Sequence, residues 1–319
     1  MLFFYVIFLS LSINNIDMKH VNLFSTMDLY NSAKLQYPNI SYVEETEKVI
    51  LVNKLFPKNN QIFYTTTDGQ IVEPMHISDI ISNVYEDGQG VITSRKDITT
   101  LISTFYNKPT VTSVQLPNSV TLIRENCFNG TSIEKIEIPA SVVEFGQTSL
   151  KGATNLEKIV FADNSNLQKI GSSSFEGTKI TDITIPSSVT YIGQFLFGDN
   201  NNYLSSVTFE ESDLELTIDS WAFKACLKLV SFNWPRRAKI IKGRTFEGCS
   251  SLTSIEIPSS VTEIGLYAFA SCTSLTNIIY DGTSTQFASI TKGSSWKNGV
   301  PTTCIVHCTD GDFPITQFA

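Results

Sequence analysis

The chain is expected to fold as an α/β-repeat, β-rich solenoid, and three observations predict it. A phrase of the form L-x-x-I-x-I occurs eight times between Val111 and Tyr280. Its first apolar residues are Val111, Ile133, Leu156, Ile180, Leu204, Leu229, Leu252 and Leu275, spaced by 22 to 25 residues. That period belongs to short stacked units and not to a closed globule. The later positions of each phrase alternate apolar with polar, the mark of a half-buried strand. An aromatic column runs in phase with them: Phe128, Phe175, Phe197, Phe223, Phe246 and Phe269, with Leu150 in one place. No unit could bury its apolar face alone, so neighbours must stack.

The unit Leu252–Cys272, LTSIEIPSSVTEIGLYAFASC, shows how each element arises. Ile255 and Ile257 flank Glu256, so the strand has one apolar face. Pro258 offers no N–H to a ladder and suits the strand's end. Ser259 and Ser260 make a polar corner. Val261 and Ile264 turn inward, and Gly265 sits where the backbone needs room or positive φ. Ala268, Phe269 and Cys272 close the unit through a short helical or 3-10 turn. The inner strand pairs elsewhere are Val114/Leu116, Ile136/Ile138, Ile159/Phe161, Ile183/Ile185, Val207/Phe209, Phe232/Trp234 and Ile278/Tyr280. The expectation is one parallel sheet of about eight strands, capped at both ends. Two units are irregular: Glu215 stands where a valine is expected, and Pro235–Ala238 reads Pro-Arg-Arg-Ala.

The motif SIEIPSSVTEIGLYAFASCTSL resembles the BspA-like leucine-rich repeats, and the stretch from Tyr280 to Asp312 resembles the ending that follows such arrays. The resemblance implies a leucine-rich-repeat solenoid over roughly the last two thirds of the chain. It also implies a secreted or cell-surface protein of anaerobic bacteria or mucosal protozoa, acting as an adhesin or surface antigen.

Residues 2–13 read LFFYVIFLSLSI, too short an apolar run to span a bilayer. They resemble a secretory core without its basic leader, so residues 1–12 are expected to be a signal peptide. The alternative is that this start belongs to the N-terminal region of an intracellular scaffold that mediates protein–protein interaction. Residues 13–110 form a non-repeat N-terminal region and cap, 111–280 the repeats, and 281–319 the C-terminal cap. Within the first region Asp28–Tyr37 reads as helical and Val49–Phe56 as a strand. Gln61–Glu73 reads as a hairpin turning at Asp68-Gly69, Ile77–Tyr85 as a helix, and Asp87–Gly90 as a turn. Trp296 is expected to cover the last unit, and Cys304–His307 to end the sheet. Asn39-Ile40-Ser41 and Asn129-Gly130-Thr131 are glycosylation triplets if the chain is secreted.

Composition excludes several functions. The net charge is −8 and no basic run exceeds Arg236-Arg237, so no nucleic-acid partner is expected. No further run of 18 apolar residues follows the N-terminus, so no membrane-spanning segment is expected. Cys226, Cys249 and Cys272 recur every 23 residues in one repeat column, which reads as small buried thiols and not as a disulfide framework. Cys304 and Cys308 in CIVHC lie about 13 Å apart on an extended strand, too far to bridge directly. With His307 they lack a zinc or haem spacing. Nucleotide, hydrolase and zincin motifs are missing. No catalytic residue, cofactor or metal is therefore assigned, and the chain is read as non-enzymatic.

What remains is the outward face of the strands. Positions that alternate with the buried isoleucines must project together. The expected ligand platform comprises Lys158, Asp182, Thr184, Ser206, Thr208, Ser231, Asn233, Ser254 and Glu256. Its partner would be a protein or glycan, since solenoids present extended surfaces of this kind. Ser188 and Ser260 lie on the corners, away from that face.

Overall fold

The structure is a computed structural model and describes residues 40–45, 48–53, 57–198 and 201–318. The expected signal peptide, the Asp28–Tyr37 helix and Asn39 fall outside these residues, as does Asn200. The chain divides into two units, Met1–Phe56 and Pro57–Ala319. In the first, β1 (Ile40–Glu45) and β2 (Lys48–Asn53) pair antiparallel, Ile40 opposite Asn53.

The second unit opens with β3 (Gln61–Thr66), β4 (Ile80–Glu86) and β5 (Gln89–Ser94), followed by the two-residue β6 (Thr100–Leu101). Each following unit then supplies a longer strand and a two-residue strand. These are β7 (Val111–Gln115) and β8 (Leu122–Ile123), β9 (Lys135–Ile138) and β10 (Glu144–Phe145), β11 (Lys158–Phe161) and β12 (Lys169–Ile170). The array continues through β13 (Asp182–Ile185) and β14 (Tyr191–Ile192), β15 (Ser206–Phe209) and β16 (Thr217–Ile218), β17 (Ser231–Asn233) and β18 (Ile240–Ile241). It closes with β19 (Ser254–Pro258) and β20 (Glu263–Ile264), then β21 (Asn277–Asp281) and β22 (Thr291–Lys292).

The fold is the expected parallel β-solenoid. The short strands stack in order, β6 through β16 as six parallel strands and β18–β20–β22 as three. The long strands stack on another side of the same coil. Between the two strand lines lies one continuous core, in which Ile136, Ile183, Phe232, Ile255 and Ile278 are buried. The aromatic column fills it: Phe223, Phe246 and Phe269 stack with centroids 5.7 and 5.5 Å apart and rings nearly parallel. Phe105 extends the column one step earlier, stacked on Phe128 at 6.1 Å.

The turn after each short strand, which holds the aromatic residue, is compact, with i→i+3 bonds such as Ala268 N–H to Gly265 C=O and Cys272 N–H to Phe269 C=O. It carries a left-handed residue two places beyond the aromatic position. Glycine fills that place at 130, 152, 177 and 248, but Ala225 and Ser271 take it at φ 50° and 60°. The glycines after the short strands have another role. A Cβ on Gly171 would sit 2.4 Å from the Gln147 nitrogen, so consecutive backbones touch there.

Both caps depart in part from the sequence reading. The N-terminal cap is an antiparallel sheet in the order β4–β5–β3–β7. The hairpin expected over Gln61–Glu73 is corrected: β3 pairs with β5 and β7, and the hairpin is β4–β5, turning at Asp87-Gly88. The helix expected over Ile77–Tyr85 is strand β4. Local pattern was overridden by pairing, because Gly90 lets Tyr64 pack flat against β5, its absent Cβ lying 2.2 Å from the ring. The Tyr64 hydroxyl then donates to Asn83 and accepts from the Val72 N–H. At the other end α1 (Ser284–Ser289) starts with a capping box between Thr283 and Gln286 and buries Phe287. Trp296 is buried as expected, against Phe269 and Phe287. Strand β23 (Ile305–Cys308) continues the long-strand line in parallel with β21. The sheet ends one strand later, on antiparallel β24 (Gly311–Pro314).

Candidate functional site

The outward strand positions project as alternation requires. Lys158, Asp182, Thr184, Ser206, Thr208, Ser231, Asn233 and Glu256 are exposed and Ser254 is half-buried. The ladder sets them side by side: Asp182 beside Ser206, Thr184 beside Thr208, Ser231 beside Ser254, and Asn233 beside Glu256. Neighbours in such a ladder stand about 4.8 Å apart. At the C-terminal end the line runs on to Asn277, whose amide oxygen lies 2.9 Å from His307 Nε2, with Asp312 2.8 Å from Nδ1.

The long-strand line is not one unbroken ladder. It is hydrogen-bonded as β9–β11, as β13–β15, and as β17–β19–β21–β23–β24. Lys158 thus belongs to a different block from Asp182, and Thr208 to a different block from Asn233. Between the third and fourth units, Lys179 N–H reaches Leu156 C=O at 2.8 Å ahead of the strands, and no ladder pairs β11 with β13. The short-strand line stays paired at the same level, Lys169 beside Tyr191. The coil therefore opens on one side only, as a wedge.

A long corner accompanies the wedge. In regular units four positions separate the last inner strand residue from the next inward one, as from Ile185 to Val189. From Phe161 to Leu167 there are six, and from Phe209 to Leu216 seven. Neither long corner has the proline that ends Ile185-Pro186 or Ile257-Pro258. Phe161, Val207 and Phe209 are accordingly only half-buried, where their counterparts elsewhere are buried.

The resulting cleft has a volume of about 450 Å³. Lys158, Phe161, Asp163 and Asn164 line one wall, Asp182 and Thr184 the other, and Ser187 and Glu210 close the corner end. Glu210 is fixed there by accepting from the Ser187 N–H at 2.9 Å, and Asp182 by accepting from the Thr181 hydroxyl at 3.0 Å. Three of the nine sequence-assigned residues meet in this cleft; the other six lie along the strands beyond it.

Arg237 holds the region together, and the sequence reading gave it no role. Its guanidinium crosses the level of the long fifth corner and donates to the carbonyls of Val189 and Pro186, two units away. Burial lowers its pKa from the ordinary arginine value, opposed by the carboxylates of Glu210 and Glu211. Its Nε is buried with no partner among the described residues. Corner serines do the equivalent work elsewhere: Ser188 donates to Leu167 C=O and Ser260 to Arg236 C=O, both at 2.8 Å. These serines are therefore structural, although the sequence presents them as plain polar corners.

Beside the short strands a second polar line runs. Lys169 pairs with Glu144 at 3.2 Å, and the Tyr191 hydroxyl and the Lys242 ammonium donate to Asp219 at 3.0 and 3.1 Å. Burial pushes the Asp219 carboxyl up. Hydrogen bonds from Ser220 N–H, Lys242 and Tyr191, with the Lys242 charge, outweigh it and hold the pKa below the usual carboxylate value. Next to this line Phe195, Trp221, Arg244 and Tyr267 all occupy left-handed turn positions. Phe195 stacks on Trp221 at 5.4 Å, and Arg244 lies over both Trp221 and Tyr267. This stacking offsets the strain of bulky side chains at positive φ.

The thiols offer little chemistry. Cys226, Cys249 and Cys272 are free and buried, with Cys249 donating to Phe223 C=O and Cys272 to Phe246 C=O. Burial pushes Cys127 up to about 12 and Cys304 to about 11. Among the described residues no group of three or more His, Cys, Asp or Glu could hold a metal, and no helix is long and apolar enough to cross a membrane.

The model of the BspA type leucine rich repeat region matches residues 92–204 and 199–292, six copies in all. The chain belongs to this family. The BspA-type array thus takes in strand β6 and Phe105, ahead of the first phrase at Val111. Among solved structures the chain is similar to a leucine-rich cell surface protein from Faecalibacterium prausnitzii, at 26% identity and a TM-score of 0.39. That match covers 62% of this chain and 61% of the other, so the chain spans about three fifths of that relative's length. It is similar to a leucine-rich repeat protein of T. pallidum at 21% identity and a TM-score of 0.38, over 59% of this chain and 74% of that one. A leucine-rich repeat protein from Bacteroides ovatus matches at 18% identity and 0.37, over 80% and 86%. No curated protein matches the chain.

Proposed function

We propose that this BspA-type repeat protein is a non-enzymatic binding protein, secreted or surface-associated, that recognises a protein or glycan through the outward face of its long strands. The observation that carries the proposal is the row of mostly exposed polar side chains from Lys158 to Glu256, mounted on strands whose alternate residues pack into or against the core. A rigid scaffold with an extended polar face suits recognition, since its side chains need little ordering on binding. Membership of the BspA-type repeat family supports a surface-associated role.

The test is a variant with arginine at Thr184, Thr208 and Asn233, compared with one carrying arginine at the exposed corner residues Asn118 and Ser259. The structural serines 188 and 260 are unsuitable for that comparison. Stability of both variants should change by less than about 0.5 kcal/mol per site. Binding to epithelial cells or matrix protein should drop with the strand variant and persist with the corner variant. The opposite pattern would move recognition to the corner edge.

A further inference from the structure

We propose that the wedge between β11 and β13 is a saccharide-binding site, deepening the reading of the strand face as a recognition surface and resting on it. The cleft lies at one of the breaks in the strand ladder of that face. Its volume of about 450 Å³ lies in the ~300–1,000 Å³ range of small-molecule sites. Its lining is unlike a lipid or drug pocket, because polar groups dominate the walls.

Four features select the ligand class. The carboxylates of Asp163, Asp182 and Glu210 accept hydrogen bonds and so ask for a ligand rich in donors. Lys158 and the Asn164 amide, on the wall they share with Asp163, supply donors, so the ligand must also accept. The facing edges of β11 and β13 are not laddered to each other, which adds backbone N–H and C=O groups to the cleft. Phe161 lines the same wall only half-buried, and offers an apolar ring beside the polar groups. A pyranose meets all four demands, with hydroxyls around its rim and C–H groups on its face. An anionic ligand would confront three carboxylates against one ammonium. Asp182 and Glu210 are held in place by their bonds to Thr181 and Ser187, which lowers the ordering that binding requires.

The experiment titrates the full chain with lactose, N,N′-diacetylchitobiose and methyl α-mannoside, read by saturation-transfer NMR. At least one should receive saturation and bind with a millimolar or lower Kd. Asp182→Asn and Phe161→Leu should each raise that Kd at least about tenfold. The double variant Thr208→Arg/Asn233→Arg, outside the cleft, should leave it unchanged. Absence of transfer to all three sugars overturns the proposal, as does an affinity indifferent to both cleft variants. Binding of an octalysine peptide that is lost in Asp182→Asn, with no sugar signal, would assign the cleft to a basic segment instead. The two readings separate cleanly. If the Thr208/Asn233 variant loses a macromolecular partner while no sugar binds, the platform stands and the saccharide site falls. If sugars bind and that variant keeps its partner, the reverse holds.

Discussion

Ala225 sits at φ 50° in a column otherwise filled mostly by glycine. A left-handed alanine is strained, and glycine relieves that strain at the expense of more unfolded-state entropy. Relief is the larger effect, so Ala225→Gly should stabilise the protein by on the order of 0.5–1 kcal/mol, read from the urea midpoint. A lowered midpoint would mean that its methyl packs productively on the Gly248 side, where an added Cβ would lie 3.7 Å from it. The sequence made much of the residue scale legible. Alternation identified Ile159, Ile183, Ile255 and Ile278 as inward before any coordinates. It could not show Arg237, because a brace acting across two units has no local pattern. Nor could it mark Phe195, Trp221 and Tyr267 as left-handed, since nothing in an aromatic side chain favours positive φ.

Among the elements, the aromatic column and the Asp219 line invite the clearest tests. Phe246 is fully buried between Phe223 and Phe269 and also meets Phe232 and Trp234. Phe246→Ala should cost on the order of 3–5 kcal/mol by calorimetry or denaturant unfolding. A cost under about 1 kcal/mol would contradict the stacking. Asp219 titrates below its ordinary value of 3.8 in the folded state. Its folded pKa is depressed, so its contribution is present above about pH 4 and is lost as the pH falls through the folded pKa. The stability gap between wild type and Asp219→Asn should therefore be full near neutrality and close in acid. A gap that stays constant down to about pH 2.5 would show that its carboxylate charge is irrelevant. Element types were legible where a column repeats, and failed where it does not. Ile77–Tyr85 has helical spacing but becomes strand β4 because β5 lies beside it in sequence and pairs with it.

For the whole molecule, the period fixes a coil, and the coil fixes which side chains face outward together. The interruptions after β11 and β15 accompany long corners, which were visible as irregular spacing but not as a cleft, whereas the break between β7 and β9 follows a corner of regular length. Six of the nine assigned platform residues lie outside that cleft, so the platform is a broader surface than any pocket. Where a bound partner touches the chain decides its role. Carbene footprinting of the chain alone and bound to cells or matrix protein would read this side chain by side chain. Protection should concentrate on Asp182, Thr184, Thr208, Asn233 and Glu256, leaving Lys239, Glu263 and Thr262 labelled as before. Protection confined to the short-strand side or to the caps, with the long-strand face still fully labelled, would contradict a recognition platform on those strands.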